Sequence, residues 1–423
     1  MTTMWTRRAI LRSLGTTGVA ATAGCTARSG RSATGRTETT ARTTAGSNSR
    51  TIQRESTEST TAATWNGSPW PSARHDAANT GRTGATGIEK TPTGRTPFRG
   101  VRELTAAPVF ADGMVFVGGD ALYALDPRDW SERWRTTAVP PIYDASPVVA
   151  DGTVYVTTTR SIHAVDVETG AVTWKSGFRG RAGGSPTVVG DTLFVGVGQT
   201  LRALSTADGT ERWRVERKDS VSGTPAVVDG TVYALDIPAR AGINRPGNVF
   251  AVDAANGAVQ WTHALVGVAY GSPAVSDGAV VVAGAPKYGW GDAFPPFVVA
   301  IDAADGSERW SYQKNGPVYG SPAIGDGKVL VADGRGILSA ISIADGQQLW
   351  TIRPGKSFRS SPSVGGDLVF VADTEGLVSA VSMRGYLQWY YQAEDGVFDS
   401  PVVTGGHVLF TCADGRLYVL SES

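Results

Sequence analysis

Two clusters of side chains in this 423-residue chain have the makings of a recognition surface. Arg240, Asn244 and Arg245 lie in one short stretch, and Lys287, Tyr288, Trp290, Asp292 and Phe294 in another. Flat rings beside guanidinium, ammonium and amide groups can stack on and hydrogen-bond to a peptide, a glycan or a ring-shaped ligand. The competing reading makes the same stretches lids that pack on one another. A second set recurs three residues before a proline and comprises Asp144, Ser222, Tyr270, Tyr319, Arg359 and Phe398. Tyr270 and Tyr319 serve equally well as core residues at strand starts.

Other reactive residue types are spaced for structure rather than chemistry. His75, His163, His263 and His407 form no metal-ligand pair in sequence. Asp-Gly pairs at Asp112, Asp151, Asp229, Asp277 and Asp326 lack the spaced oxygen ligands of a calcium loop and read as hairpin turns. Gly196 with Gly198, and Gly334 with Gly336, lack the third glycine of a dinucleotide loop. With two cysteines, Cys25 and Cys412, there is neither a disulfide framework nor a CxxC site, and Cys412 is expected to be a small buried apolar residue. Residues 1–64 hold nine Arg against three Glu, leaving the remainder with 30 basic and 36 acidic groups. That mildly acidic body gives no footprint for nucleic acid.

The elements that must position the candidates are repeats. Ser146 to Lys175 reads as four antiparallel strands: Pro147 to Ala150, Thr153 to Thr158, Ile162 to Val167, and a last strand ending at Trp174. Its signature proline returns at Pro108, Pro147, Pro186, Pro225, Pro273, Pro322, Pro362 and Pro401, in steps of 39, 39, 39, 48, 49, 40 and 39. The closing aromatic returns at Trp134, Trp174, Trp213, Trp261, Trp310, Trp350 and Trp389. Most copies also keep a motif such as Ala164-x-Asp166-x-x-Thr169-Gly170-x-x-x-Trp174, with Ser205, Ser342 and Ser382 replacing the Asp in three. A period of about forty residues with four strands points to propellers or solenoids.

This pattern resembles the PQQ-like (pyrroloquinoline quinone dehydrogenase-type) β-propeller repeats, in which the tryptophan docks one blade on the next. The resemblance covers Pro108 to the C-terminus. It implies an all-β propeller of four-stranded antiparallel blades, and the count of eight signature starts makes it eight-bladed. It leaves activity open, because the same repeats build quinoprotein dehydrogenases and BamB-like non-catalytic envelope lipoproteins. The dehydrogenases typically use an adjacent-cysteine disulfide at the quinone and an Asp base beside calcium. Neither maps onto this chain, so no cofactor is expected, with PQQ and calcium belonging only to the dehydrogenase alternative.

Eight starts meet only seven closing aromatics. The copy from Pro401 ends one strand short, and Thr93 to Phe98 repeats the Thr-Gly-x-x-x-aromatic spacing with Phe98 in place of Trp. The N-terminal part of the body is therefore predicted to supply the last outer strand, closing the ring and removing open edges. Blades four and five carry their extra residues between strands two and three, Ile237 to Asn248 and Ala285 to Pro296, which makes the two recognition clusters neighbours on one rim.

Ahead of the body, Arg7-Arg8, a modest apolar run and Thr22-Ala23-Gly24-Cys25 resemble a twin-arginine export signal joined to a lipobox. The resemblance implies a leader over 1–24, a lipid on Cys25, and a protein on the outer face of the cell membrane. Residues 25–64, dominated by Thr, Ser, Gly, Ala and Arg, bury too little to offset chain entropy and read as a flexible tether. The propeller domain is assigned to 65–423, with the closing strand at about 93–98 and blades over about 105–421. The expected role is a monomeric, non-catalytic scaffold or binding module for envelope or membrane proteins or an extracellular ligand, without nucleic acid. The alternatives are a quinone-dependent dehydrogenase and a sugar- or small-ligand-binding protein.

Overall fold

The structure, a computed structural model, describes residues 69–100, 104, 106–142, 145–238, 246–285 and 295–422. These residues form eight four-stranded antiparallel blades around one axis. In blade 2 the strands, A to D from the axis outward, are Val148–Ala150, Thr153–Thr157, Ser161–Asp166 and Val172–Gly177. Asp151 and Gly152 join A to B at φ 49° and 70°, the left-handed pair that a two-residue hairpin demands. Asp112, Asp229, Asp277 and Asp326 adopt the same conformation, so the Asp-Gly acids are turn residues. Strands B and C are almost wholly buried, whereas D alternates between half-buried and exposed positions. Strand D outruns the expected end at Trp174, because Lys175 to Gly177 go on pairing with His163 to Ser161.

One contact joins each blade to the next. In blades 1 to 7 the strand D tryptophan lies opposite an alanine of strand C: Ala124, Ala164, Ala203, Ala251, Ala300, Ala340 and Ala380. A bulge beside each pair re-aims the side chain toward the next blade. There the indole Nε1 donates to a carbonyl in the C–D turn. Trp134, Trp174, Trp213, Trp261, Trp310 and Trp350 reach Val167, Thr206, Ala254, Ala303, Ile343 and Met383 at 2.8–3.0 Å. Each ring also lies on the glycine of that turn. A Cβ at Gly170, Gly209, Gly257, Gly306, Gly346 or Gly385 would come within 2.6–2.9 Å of it. The spaced Ala, Gly and Trp of the repeat thus serve one wedge.

The seam is built differently. Strand β1 (Arg82–Thr83) lines the inner edge of blade 7, and β2 (Pro92–Arg99) pairs antiparallel with Arg416–Glu422 as the outer strand of blade 8. The predicted closure holds, but the predicted register does not. Val419 stands where the other blades have alanine, and it faces Arg95; Phe98 faces Leu417 and meets Tyr123 edge-on at 4.9 Å. Phe98 therefore docks on blade 1 from a different place than the tryptophans, because a bulge between Arg95 and Phe98 shifts the strand. In blade 1 the turn glycine is replaced by Trp130, held at φ 61° and 9% exposed, with the Arg95 guanidinium 5.2 Å from its ring centre. Ring and partner have exchanged sides. The Trp389 wedge likewise donates to Ile88 O of the N-terminal segment, which stands in for the turn that blade 8 lacks.

Before β1 the chain crosses the axial channel. Carbonyls of Trp70, Pro71, Ala77, Ala78, Thr80 and Gly81 accept N–H bonds from Phe110, Val149, Val227, Val275, Ile324 and Val364 at 2.7–3.1 Å. Each donor lies two residues after a signature proline, on the free inner edge of strand A. Six blades are stitched to one strap. Arg74 donates to Pro322 O and Pro362 O, and Asn79 to Thr224 O and Pro273 O, each side chain spanning two blades. Burial lowers the Arg74 pKa to about 10, with Asp76 and Asp399 opposing, so it stays charged at neutral pH.

Exchange at the seam predicts a coupled pair. Trp130→Gly should cost about 2–4 kcal/mol by opening a cavity, and Arg95→Trp should also destabilise by overfilling the site. The double variant recreates the regular wedge and should recover most of the loss in urea denaturation. Strictly additive losses would refute the exchange.

Candidate functional site

Of the sequence candidates, Arg240, Asn244, Arg245, Lys287, Tyr288, Trp290, Asp292 and Phe294 lie outside the described residues, as do Asp144 and Cys25. Strands Thr231–Ile237 and Asn248–Asp253 flank the first insertion, and Ala279–Gly284 and Phe297–Asp302 the second. Both are therefore B–C connections of blades 4 and 5.

The described candidates are gathered by the blade starts. Backbones of successive blades touch there: a Cβ on Gly223, Gly271 or Gly320 would sit 2.5–2.7 Å from the carbonyl oxygen of Gly271, Gly320 or Ser360. The N–H groups of Thr224, Ser272 and Ser321 donate to the hydroxyls of Ser272, Ser321 and Ser361 at 2.8–2.9 Å, making a hydroxyl belt around the channel wall. The residue just before this belt is thereby held beside its counterpart on the next blade. Tyr270 and Tyr319 have ring centres 6.0 Å apart at 47°, and the Arg359 guanidinium lies 4.7 Å from the Tyr319 ring centre. All three are half-buried, and burial holds the Arg359 pKa below its ordinary value. Ser222 and Phe398 occupy the equivalent half-buried places on blades 4 and 8. This row offers stacking surfaces and one partly desolvated cation, a set suited to planar or anionic groups.

Buried carboxylates at the ends of strand B escaped the sequence reading. Asp236, Asp333 and Asp373 lie at or just beyond the end of strand B and are 1–2% exposed. Asp236 is held by Arg217 at 2.8 Å and Asn248 at 2.5 Å. Asp333 pairs with buried Lys314 at 3.0 Å and accepts the N–H groups of Arg335 and Ile337. Asp373 accepts those of Lys356, Glu375 and Leu377. Asp333 and Asp373 brace the turn that follows them, and all three carboxylates hold a residue just after the preceding blade. The only sequence signal was an acid before a B–C turn, as in Ala332-Asp333-Gly334 and Ala372-Asp373-Thr374.

The quinone and calcium of the dehydrogenase alternative can be tested against these donors. Cys412, in the last blade, is fully buried, its Sγ donates to Asp395 O, and burial pushes the thiol up to about 12. Among the described residues no three His, Cys, Asp or Glu side chains gather as a metal site. His263 Nδ1 contacts Gly306 O, and His163 Nε2 shares a hydrogen bond with Ser161 inside blade 2. The described residues do not fit calcium beside a cysteine-lined quinone.

Fold and wedge geometry define a PQQ-like β-propeller. Comparison is more specific: the family model described as outer membrane protein assembly factor BamB matches residues 73–161, 158–242, 245–357 and 334–423, and the chain belongs to that family. BamB from Moraxella catarrhalis superposes with a TM-score of 0.64 at 18% identity, covering 78% of this chain and 100% of that one. Quinohemoprotein alcohol dehydrogenase from Comamonas testosteroni gives 0.66 at 13%, covering 86% and 82%. A europium-containing methanol dehydrogenase gives 0.62 at 13%, covering 83% and 89%. Such identities speak for the fold alone. No curated protein matches by sequence.

His163 supplies a pH test. Burial first, and Lys175 second, lower its pKa to about 4 from 6.5, so the folded state keeps it neutral. Between those values the unfolded chain binds the extra proton, so stability present above pH 6.5 is lost as pH falls toward 4. His407 is shifted the same way by burial. Thermal melts of His163→Gln should therefore show a shallower acid slope than wild type but not a flat one; an unchanged slope would contradict the assignment.

Proposed function

We propose that this chain is a non-catalytic, membrane-anchored propeller that serves as a scaffold or binding module for envelope proteins or extracellular ligands. The observation that carries the reading is the Tyr270–Tyr319–Arg359 row, a recognition surface held on three consecutive blade starts. Family membership supports it, since the family model is described as that of an assembly factor. Asp236, Asp333 and Asp373 support it as well, being committed to braces. Similarity to alcohol dehydrogenases favours a second reading, a PQQ-dependent dehydrogenase, but the described residues supply no fitting donor set.

Placement follows from the leader. No helix among the described residues is long and apolar enough to cross a membrane. In this reading the twin-arginine route exports the chain, and a lipid on Cys25 holds it on the outer face of the cell membrane, with residues 25–64 as tether. The protein would act as a monomer on its partner.

Affinity capture from native membranes with a Tyr319→Ser/Arg359→Ser double variant should lose the partners that the wild-type body retains. Retention of every partner would refute the row's role, and dye reduction on alcohols after loading with PQQ and calcium would favour the dehydrogenase. Cys25→Ser should move the protein from the membrane fraction to the medium; continued membrane retention would count against the lipid anchor.

A further inference from the structure

The outer edge of blade 7 is unlike those of blades 1, 3 and 5. Outer strands of blades 1, 3 and 5 open with Glu-Arg and carry ion pairs such as Arg135–Glu132, Arg214–Glu211 and Arg309–Asp302. Charges of this kind guard a sheet edge against strand addition. Blade 7 ends in Leu387–Gln392, sequence LQWYYQ, with neither charge nor proline, and its strand pairs only with Leu377–Ser382 on the inner side. Blades 4 and 6 also end in strands without Asp, Glu, Lys or Arg, Val259–Ala264 and Gln348–Ile352, the second of them beside blade 7.

Exposed apolar residues concentrate at this unguarded place. Tyr386 is 68% exposed, Tyr390 63%, Leu349 49% and Leu387 45%. Trp350 rests on Gly385 and donates to Met383 O, so Leu349, which precedes Trp350, and Tyr386, which follows Gly385, flank one wedge. The strand itself is stiffly held, since Trp389 is buried and hydrogen-bonded to Ile88 O and Tyr391 packs on the core.

We propose that the outer edge of blade 7 docks an extended, uncharged peptide segment of a partner protein, which adds as a fifth strand and lays alternate apolar side chains against Tyr390, Leu387 and Leu349. An edge without charges, lined by exposed apolar side chains, selects a partner without charges of its own, and the backbone supplies the hydrogen bonds. A glycan is the weaker match. The glutamine amides that would bind its hydroxyls already donate to backbone, Gln388 to Tyr386 O and Gln392 to Glu375 O and Ala393 O. This deepens the binding-module reading, on which it rests, at a surface separate from the Tyr319–Arg359 row.

The test pans a displayed library of linear ten-residue peptides against the folded body and maps amide hydrogen exchange with the best binder. Enrichment of alternating apolar sequences that slow exchange at 387–392 is expected, with affinity falling about tenfold or more in Tyr390→Lys. Tyr390 is exposed, so that variant should keep the wild-type melting temperature, and Tyr390→Phe should keep binding. Binders that protect the Tyr319–Arg359 row instead would sink the edge proposal while leaving the binding module standing. No binders, a dimer that protects 387–392 without peptide, or selective capture on a glycan array would each overturn it.

Discussion

Everything in this molecule depends on how an indole crosses from one blade to the next. A bulge beside an alanine turns the tryptophan of strand D outward, its N–H finds a carbonyl in the neighbouring turn, and its face covers a glycine that has no Cβ to obstruct it. One such hydrogen bond contributes only about 1 kcal/mol. Its value lies in repetition and direction. Around a ring, any error in the angle between blades would accumulate, so a contact that fixes the angle at every joint decides whether the ends meet.

The ends meet by a different device. Regular wedges run from each repeat into the following one, but at the seam the following repeat is blade 1 and the preceding strand is β2, which arrives from the other end of the body. Arg95 and Trp130 exchange the usual places of ring and partner there. The strap adds a second closure at the axis, where the free edge of each inner strand would otherwise expose backbone donors and acceptors. Its carbonyls, with Arg74 and Asn79, consume those valences in six blades and tie the N-terminal residues of the body to nearly the whole circle.

A body closed at rim and axis has little freedom to remodel, so in the proposed reading recognition falls to side chains that the frame carries passively. Blade starts bring Tyr270, Tyr319 and Arg359 into one row because the touching backbones fix the step between them. Outer strands carry a different variable, edge charge, which changes from blade to blade without disturbing the wedge. Binding surfaces can therefore vary while the architecture stays constant, which explains how the fold is shared by proteins named for assembly and for alcohol oxidation.

Periodic features were legible in the sequence because each repeat states its own contact again. The Asp-Gly turns, the prolines, the tryptophans and the missing eighth outer strand were all countable, and with them the blade number and the closure by residues near Thr93. The row was partly legible: its residues shared an offset from proline, but neither the tyrosine pair nor the cation over it follows from spacing. Trp130, Arg95, the strap residues from Trp70 to Gly81 and the buried Asp236, Asp333 and Asp373 were not legible as partners. Each makes its defining contact with residues distant in sequence, or occurs where the repeat is broken. Local spacing determined what one blade is and how many there are; only the closed ring decided what fills its axis, how its seam is sealed and which side chains stand next to one another across blades.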